Sequence, residues 1–376
     1  MKIIVLGAGL VGSLIARDLS LDFEVTVADK SEEALKRIAE LSKVKTMKID
    51  FSKENAIKEA VKDFDLVVGA VPGFLGFNML KQVIEAKKNI VDISFAPEDC
   101  MVLDKLAKKN NVTAIIDCGV APGMSNILVS HASKLLDEAK SCEVLVGGLP
   151  QSRYWPYEYK LVFSPLDTID EYMRPARMKV NGEIVEKQAL SEVELVDFPP
   201  IGTLEAFNTD GLRSLLYTLN IPNMKEKTLR YPGHAEKMKI LRETGFFNSE
   251  PVEINGVKVK PIELTAKLLF PMWKLKEGEK DFTVMRVTVE GKKNGEKVSY
   301  VYDLIDHFDD TMKVTSMART TGYTCSVVVR ILAKGLYDKK GVCPPEFLGM
   351  EDEIFEEILK GLREKGVIYE ERIVKS

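Results

Sequence analysis

Three glycines, Gly7, Gly9 and Gly12, stand in GAGLVG directly after the apolar run KIIVLG, and Asp29 closes the next apolar run, EVTVAD. A first glycine permits a tight turn, a second lets a pyrophosphate approach the backbone, and a third allows close helix–strand packing. Leu10 and Val11 then open a helix whose free N–H groups and dipole favour phosphate. Asp29 is placed to accept from adenosine ribose hydroxyls. A carboxylate there repels a 2′-phosphate, so the expected cofactor is NAD rather than NADP, a preference that Lys30 and Arg37 soften. Asp50 ends a third run and is either an adenine contact or a solvated strand-end carboxylate. Ala70, Val71 and Pro72 end a fourth run, where small residues let the nicotinamide ribose pass or simply make a turn.

Those residues need a sheet to hold them. The runs at 2–7, 24–29, 44–49, 65–71, 89–94 and 112–117 are short, β-branched and apolar on consecutive positions, as parallel strands covered on both faces are. Helical patterns such as SEEALKRIAELSK, with Ser31 as N-cap, and PEDCMVLDKLAKKN lie between them. The rhythm predicts a doubly wound α/β Rossmann domain over 1–122. Ligands of such sheets lie beyond the carboxyl ends of the strands. Asp92, Ser94, Asp117 and the CGVAPG stretch all fall on that edge. Gly119 and Val120 would then wall the nicotinamide, with Pro122 starting the next helix, unless the stretch is only a boundary loop.

Beyond Gly123 the texture changes. GMSNILVSHASKLLDEA reads as a helix, and three longer alternating segments each turn on Asn-Gly: RMKVNGEIVE, PVEINGVKVKP and VTVEGKKNGEKVSYVYDLI. Both turn residues tolerate positive φ, so hairpins are expected. Residues 123–319 are predicted as a substrate-binding and dimerisation domain with a mostly antiparallel sheet. Residues 320–376 are predicted as C-terminal helices packing on the Rossmann domain. The chain has 376 residues, 45% hydrophobic and 29% charged, with net charge −4, which gives no electrostatic case for nucleic acid. No run of ~18 apolar residues implies a membrane span, and MKIIVLGAGL carries no leader pattern, so a cytoplasmic protein is expected. The five cysteines form no CxxC pair and the three histidines show no metal spacing. Buried thiols and no metal are expected.

DCGVAPGMSNILV resembles the saccharopine dehydrogenase-like superfamily, most of all its lysine 6-dehydrogenase branch. The likeness extends through MKIIVLGAGLVG, YEYKLVFSP, LEAFNTDGLRSLL, TLRYPGH, MARTTGY and GVCPPEFLG. Saccharopine and carboxynorspermidine enzymes tend to carry an acidic residue where this chain has Ala121. The resemblance implies NAD, a homodimer or higher homo-oligomer, and oxidation of the ε-amine of L-lysine to 2-aminoadipate 6-semialdehyde with release of ammonia and NADH. The alternatives are a saccharopine- or carboxyspermidine-type dehydrogenase and a non-catalytic NAD-binding protein.

An amine gives up hydride only once its nitrogen has lost its proton, and a lysine ε-ammonium has a pKa of ~10.4, so a base and a desolvated site are needed. Asp92 is the first candidate and Asp117 the second, although either could merely cap a helix or close a turn. The substrate's carboxylate calls for an arginine. Arg174, Arg177, Arg213 and Arg230 are candidates. Arg230 is preferred because TLRYPGH groups it with Tyr231 and His234. Lys160 and Ser164 are candidates for a pocket floor, and Thr320 and Thr321 for helix-start hydroxyls near the cofactor.

Overall fold

The computed structural model describes residues 1–53, 55–161 and 165–375, with 165–167 described through their backbone alone. The first stretch alternates β1 (Lys2–Leu6), α1 (Leu10–Leu19), β2 (Glu24–Asp29), α2 (Glu32–Leu41), β3 (Lys45–Lys48), α3 (Ala56–Ala60), β4 (Leu66–Gly69), α4 (Gly73–Glu85), β5 (Asn89–Asp92), α5 (Asp104–Lys109), β6 (Thr113–Ile115) and α6 (Met124–Lys134). The middle holds β7 (Glu138–Pro150), α7 (Pro165–Met173), β8 (Ala176–Val180), β9 (Glu183–Lys187), β10 (Glu194–Phe198), β11 (Gly202–Asn208), α8 (Leu215–Thr218), β12 (Asn223–Arg230) and α9 (His234–Glu243). It continues with β13 (Val252–Ile254), β14 (Val257–Val259), α10 (Pro261–Trp273), β15 (Asp281–Lys293) and β16 (Glu296–His307). The last stretch is α11 (Ser316–Ala333), β17 (Gly341–Cys343), α12 (Glu346–Gly349), α13 (Asp352–Glu364) and β18 (Tyr369–Lys375). No helix among the described residues is long and apolar enough to cross a membrane.

Two compact units result, one from Met1–His131 with Ala318–Ile368 and one from Ala132–Met317 with Tyr369–Ser376. In the first, a seven-stranded sheet runs β17-β6-β5-β4-β1-β2-β3, and every adjacent pair is parallel. The order reverses between β1 and β4, which makes the crevice at their carboxyl ends the dinucleotide position of such sheets. Ile4, Leu6, Val67, Ile90 and Ala114 are fully buried in its core, as consecutive apolar strand residues must be when helices cover both faces. The outermost strand β17 comes from the C-terminal stretch and was not expected there. That stretch therefore completes the sheet as well as supplying helices.

The second unit is the mostly antiparallel sheet expected, ordered β10-β11-β12-β7-β15-β16-β18, with β8 and β9 attached through β12. β7 and β12 pair in parallel. The three Asn-Gly hairpins form as expected: Asn181–Gly182, Asn255–Gly256 and Asn294–Gly295 all take positive φ. The chain passes from the first unit to the second inside α6, after His131, and its last strand, β18, pairs with β16 in the second unit.

Candidate active site

The glycine loop packs against the end of β4. A Cβ on Gly7 would lie 2.2 Å from the Ala70 carbonyl oxygen, and one on Gly12 would lie 2.2 Å from that of Gly7. Gly7 also holds φ +117, a conformation closed to ordinary side chains. Gly9 differs: it is the N-cap of α1, and a Cβ there would meet nothing within 4 Å. Leu10 beside it is 55% exposed. Two glycines are consumed by packing and the third leaves open space at a helix N-terminus, which fits a pyrophosphate. When bound, a nicotinamide dinucleotide supplies a hydride acceptor.

Asp29 is engaged by the backbone on both of its oxygens. One carboxylate oxygen accepts from the Ala8 N–H at 2.7 Å and the other from the Ser31 N–H at 2.8 Å, tying the glycine loop to the end of β2. Lys30 is exposed beside it. Asp50 is not a strand end, because β3 stops at Lys48. Its Oδ1 accepts from the Ser52 hydroxyl and N–H, closing a turn, and these bonds hold the half-buried residue's carboxyl below its ordinary range. Val71 is buried, Ala70 is half-buried, and Pro72 is the exposed N-cap of α4.

Asp92 and Asp117 come together, as candidates on one sheet edge should, but under the surface. Asp92 is 1% exposed and Asp117 5%. The Asp92 carboxyl lies over Gly69 of the neighbouring strand, where a Cβ would sit 2.3 Å from its Oδ1, and that oxygen accepts from the Ser94 N–H at 2.9 Å. Burial raises its pKa to about 7 against the opposing bonds from Ser94, with Asp117 adding to the rise. Asp92 therefore favours its protonated form up to about neutral pH. The alternative duty of capping the APEDC segment falls to Asp99, which accepts from the Met101 N–H. Asp117 adopts φ +49, a conformation that Asp tolerates.

The glycines of the GVAPG stretch serve one another. A Cβ on Gly123, at φ +131, would lie 2.0 Å from the Gly119 carbonyl oxygen. The Gly119 N–H donates to the Pro122 carbonyl at 3.1 Å, and Ser125 N–H donates to that of Val120 at 3.0 Å. The Ala121–Pro122 peptide is cis, and α6 begins only at Met124, so Pro122 is not its first residue. Thr321 packs on Gly119 from the second turn of α11, and neither it nor Thr320 caps a helix start.

Two fully buried residues here went unnoticed in the sequence. The Asn126 amide donates to Glu346 Oε2 at 3.1 Å, and its oxygen accepts from the Gly123 N–H at 3.3 Å and the Ser125 hydroxyl at 3.1 Å. Glu346 lies in GVCPPEFLG, 220 residues away, a distance no local pattern reveals.

In the second unit, the TLRYPGH group divides. Arg230 is 3% exposed; its terminal nitrogens donate to the Leu229 carbonyl at 2.9 Å and to Glu171 at 3.1 Å, and its guanidinium lies over Tyr159. His234 shares that cluster. Its Nδ1 lies 3.1 Å from the Tyr157 carbonyl and so must donate, which leaves Nε2 to accept from the Tyr172 hydroxyl at 2.9 Å. Burial, then Arg230, lowers its pKa to about 3, so it is neutral. Tyr231 points elsewhere, donating to the Pro150 carbonyl at 2.8 Å. Lys160 is 4% exposed and engaged by the Met272 and Lys274 carbonyls and Glu279. Arg177 is held bidentately by Asp210, Arg174 pairs with Asp170, and Arg213 sits in a turn at φ +52 rather than on a helix. Ser164 lies outside the described residues.

Beside these is a buried carboxyl absent from the expectations. Glu226 accepts from Thr209 at 2.8 Å and the Gly211 N–H at 3.0 Å, and burial raises its pKa to about 8.

Comparison with known proteins is consistent along the whole chain. The model described as the saccharopine dehydrogenase NADP binding domain matches residues 3–115. That described as the saccharopine dehydrogenase C-terminal domain matches 119–367. The mitochondrial alpha-aminoadipic semialdehyde synthase of Mus musculus is 23% identical over 98% of this chain and 47% of its own, so the chain spans about half the length of that relative. Carboxynorspermidine synthase of Vibrio cholerae is 24% identical over 91% of both chains. The saccharopine dehydrogenase (L-Glu forming) of Saccharomyces cerevisiae superposes with a TM-score of 0.82 at 19% identity, covering 99% of each chain. With both halves matched in sequence and the dinucleotide loop formed, the chain belongs to the saccharopine dehydrogenase family of NAD(P)-dependent oxidoreductases.

Proposed function

We propose that the protein is an NAD-dependent dehydrogenase of a primary amine, with L-lysine as substrate and its ε-carbon as hydride donor. Water replaces the nitrogen, ammonia and NADH leave, and the 2-aminoadipate 6-semialdehyde closes onto its own α-amine. The observation that carries this is Ala121. It stands half-buried on the loop after β6, an uncharged residue at a position where the sequence resemblance implies a carboxylate in the reductive-condensation enzymes. Without that charge the site has one anchor fewer for a second amino-acid moiety. In this reading Asp92 stores and passes a proton beneath the loop and does not itself touch the amine. Asp29 keeps negative charge at the ribose end, which supports NAD although the matching family model is described as NADP-binding.

A second reading follows from the relatives. The match to carboxynorspermidine synthase spans 91% of both chains, which favours reductive joining of an amine to a semialdehyde. NADH formation from NAD with L-lysine, D-lysine, ornithine, cadaverine and saccharopine, measured at neutral and alkaline pH and repeated with NADP, separates the two. Turnover of L-lysine that rises toward alkaline pH supports the proposal. Turnover of saccharopine alone supports the second reading. Silence with every amine, while NADH still binds, overturns both and leaves a dinucleotide-binding protein.

A further inference from the structure

The GVCPPEFLG stretch resembles its family in sequence but has no part in the chemistry so far. The structure wraps it around the base of the Gly119–Gly123 loop. A Cβ on Gly349 would lie 2.2 Å from the Ile127 carbonyl oxygen and 2.2 Å from the Ser130 hydroxyl, so the segment sits directly on α6. His131 contacts the Gly349 carbonyl through Nδ1 at 3.3 Å and stacks on Phe355 with ring centroids 3.6 Å apart. Glu346, 0% exposed, reaches Asn126, also 0% exposed.

The direction of these bonds matters. Asn126 turns its NH2 toward Glu346 and its oxygen toward the loop, so the Glu346 carboxyl fixes which end of the amide the loop meets. That oxygen then takes the Gly123 N–H, at the point where Gly123 crosses Gly119. We infer that Glu346 is a positioning residue for the nicotinamide end of the cofactor, acting through Asn126 on the Gly119–Gly123 loop. The inference rests on reading that loop as the nicotinamide wall.

The test compares binding of NADH with binding of ADP-ribose, which lacks the nicotinamide, by calorimetry on the full chain. Asn126→Asp keeps the shape but cannot donate to Glu346. It weakens NADH by about tenfold, the scale of one buried hydrogen bond left unmade, and leaves ADP-ribose within about twofold. Glu346→Ala does the same where it folds. Asn126→Asp combined with Glu346→Gln reverses donor and acceptor, and NADH affinity returns. Equal weakening of both ligands in Asn126→Asp, or no recovery in the double variant, overturns the inference. Val120→Ala serves as the separate check on the wall itself. If it spares NADH as much as ADP-ribose, the loop reading fails and takes the inference with it; if it selectively weakens NADH while Asn126→Asp does not, only the role of Glu346 is lost.

Discussion

Gly9 and Gly12 stand three residues apart and fail for different reasons when given a side chain. A Cβ on Gly12 meets a backbone carbonyl at 2.2 Å, so Gly12→Ala must push α1 away from β1. It is expected to cost about 2–3 kcal/mol and to abolish dinucleotide binding. A Cβ on Gly9 meets nothing of the protein, so Gly9→Ala keeps its unfolding free energy within about 1 kcal/mol of the parent. It still loses at least about tenfold in NADH affinity because the methyl stands where phosphate approaches. Thermal unfolding with and without NADH reads both, and a Gly9→Ala protein that binds normally would move the pyrophosphate elsewhere. Asp92 poses a question of pH. Its carboxyl titrates near 3.8 in the unfolded chain and at about 7 in the fold, so the folded state keeps a proton that the unfolded state gives up. Stability from this group is complete below pH ~4 and is lost as pH rises toward 7. Asp92→Asn is therefore expected to match the parent near pH 4 and to exceed it at pH 8 by on the order of 4 kcal/mol, read from urea midpoints across that range. Parallel curves for the two proteins would show that Asp92 ionises freely in the fold.

At the scale of elements, legibility follows the range of the forces. β1, β2 and β4 were visible as buried apolar runs because a strand covered on both faces has no polar alternation to hide it. The hairpins were visible because Asn-Gly prescribes its own backbone. Ser31 capped α2 as expected, accepting from the Ala34 N–H three residues on. The start of α11 was read four residues late because its cap is not local. Asp281 accepts from the Ser316 and Met317 N–H groups at 2.8 and 3.1 Å, from 35 residues upstream in the case of Ser316. β17 has only three residues, and its partner β6 lies more than two hundred residues earlier. The same rule divides the site. The glycine loop could be read because its function is written in its own backbone. Arg230, Lys160 and His234 could be picked out only as residue types. What each one does is decided by Glu171, by the carbonyls that end α10, and by Tyr157 and Tyr172, none of which its own neighbourhood in sequence announces.

For the molecule as a whole, the consequence is that the dinucleotide-binding unit is not a stretch of chain. It needs Ala318–Ile368 as much as Met1–His131. Asp18 shows how much. It is 6% exposed on α1, and burial alone would raise its pKa. Lys365, Ser326 and Arg330 instead bring it below the ordinary value, and all three belong to the C-terminal stretch. Without that stretch Asp18 loses all three partners, and the apolar face of α1 beside it, where Leu14 and Ile15 meet Gly322, loses its cover. Asn126 at the same time loses Glu346, and β6 loses its outer neighbour β17. Against a typical stability of about 5–15 kcal/mol, these losses together are decisive. A fragment of residues 1–131, which contains the complete glycine motif and Asp29, is therefore expected not to bind NADH and to show no cooperative unfolding. Co-expression with residues 318–368 is expected to restore both. The measurement is NADH fluorescence titration beside thermal denaturation of the fragment alone and of the pair. Binding by the lone fragment would mean that the C-terminal stretch merely decorates the sheet; binding by the pair alone would show that the cofactor site is assembled from the two ends of the chain.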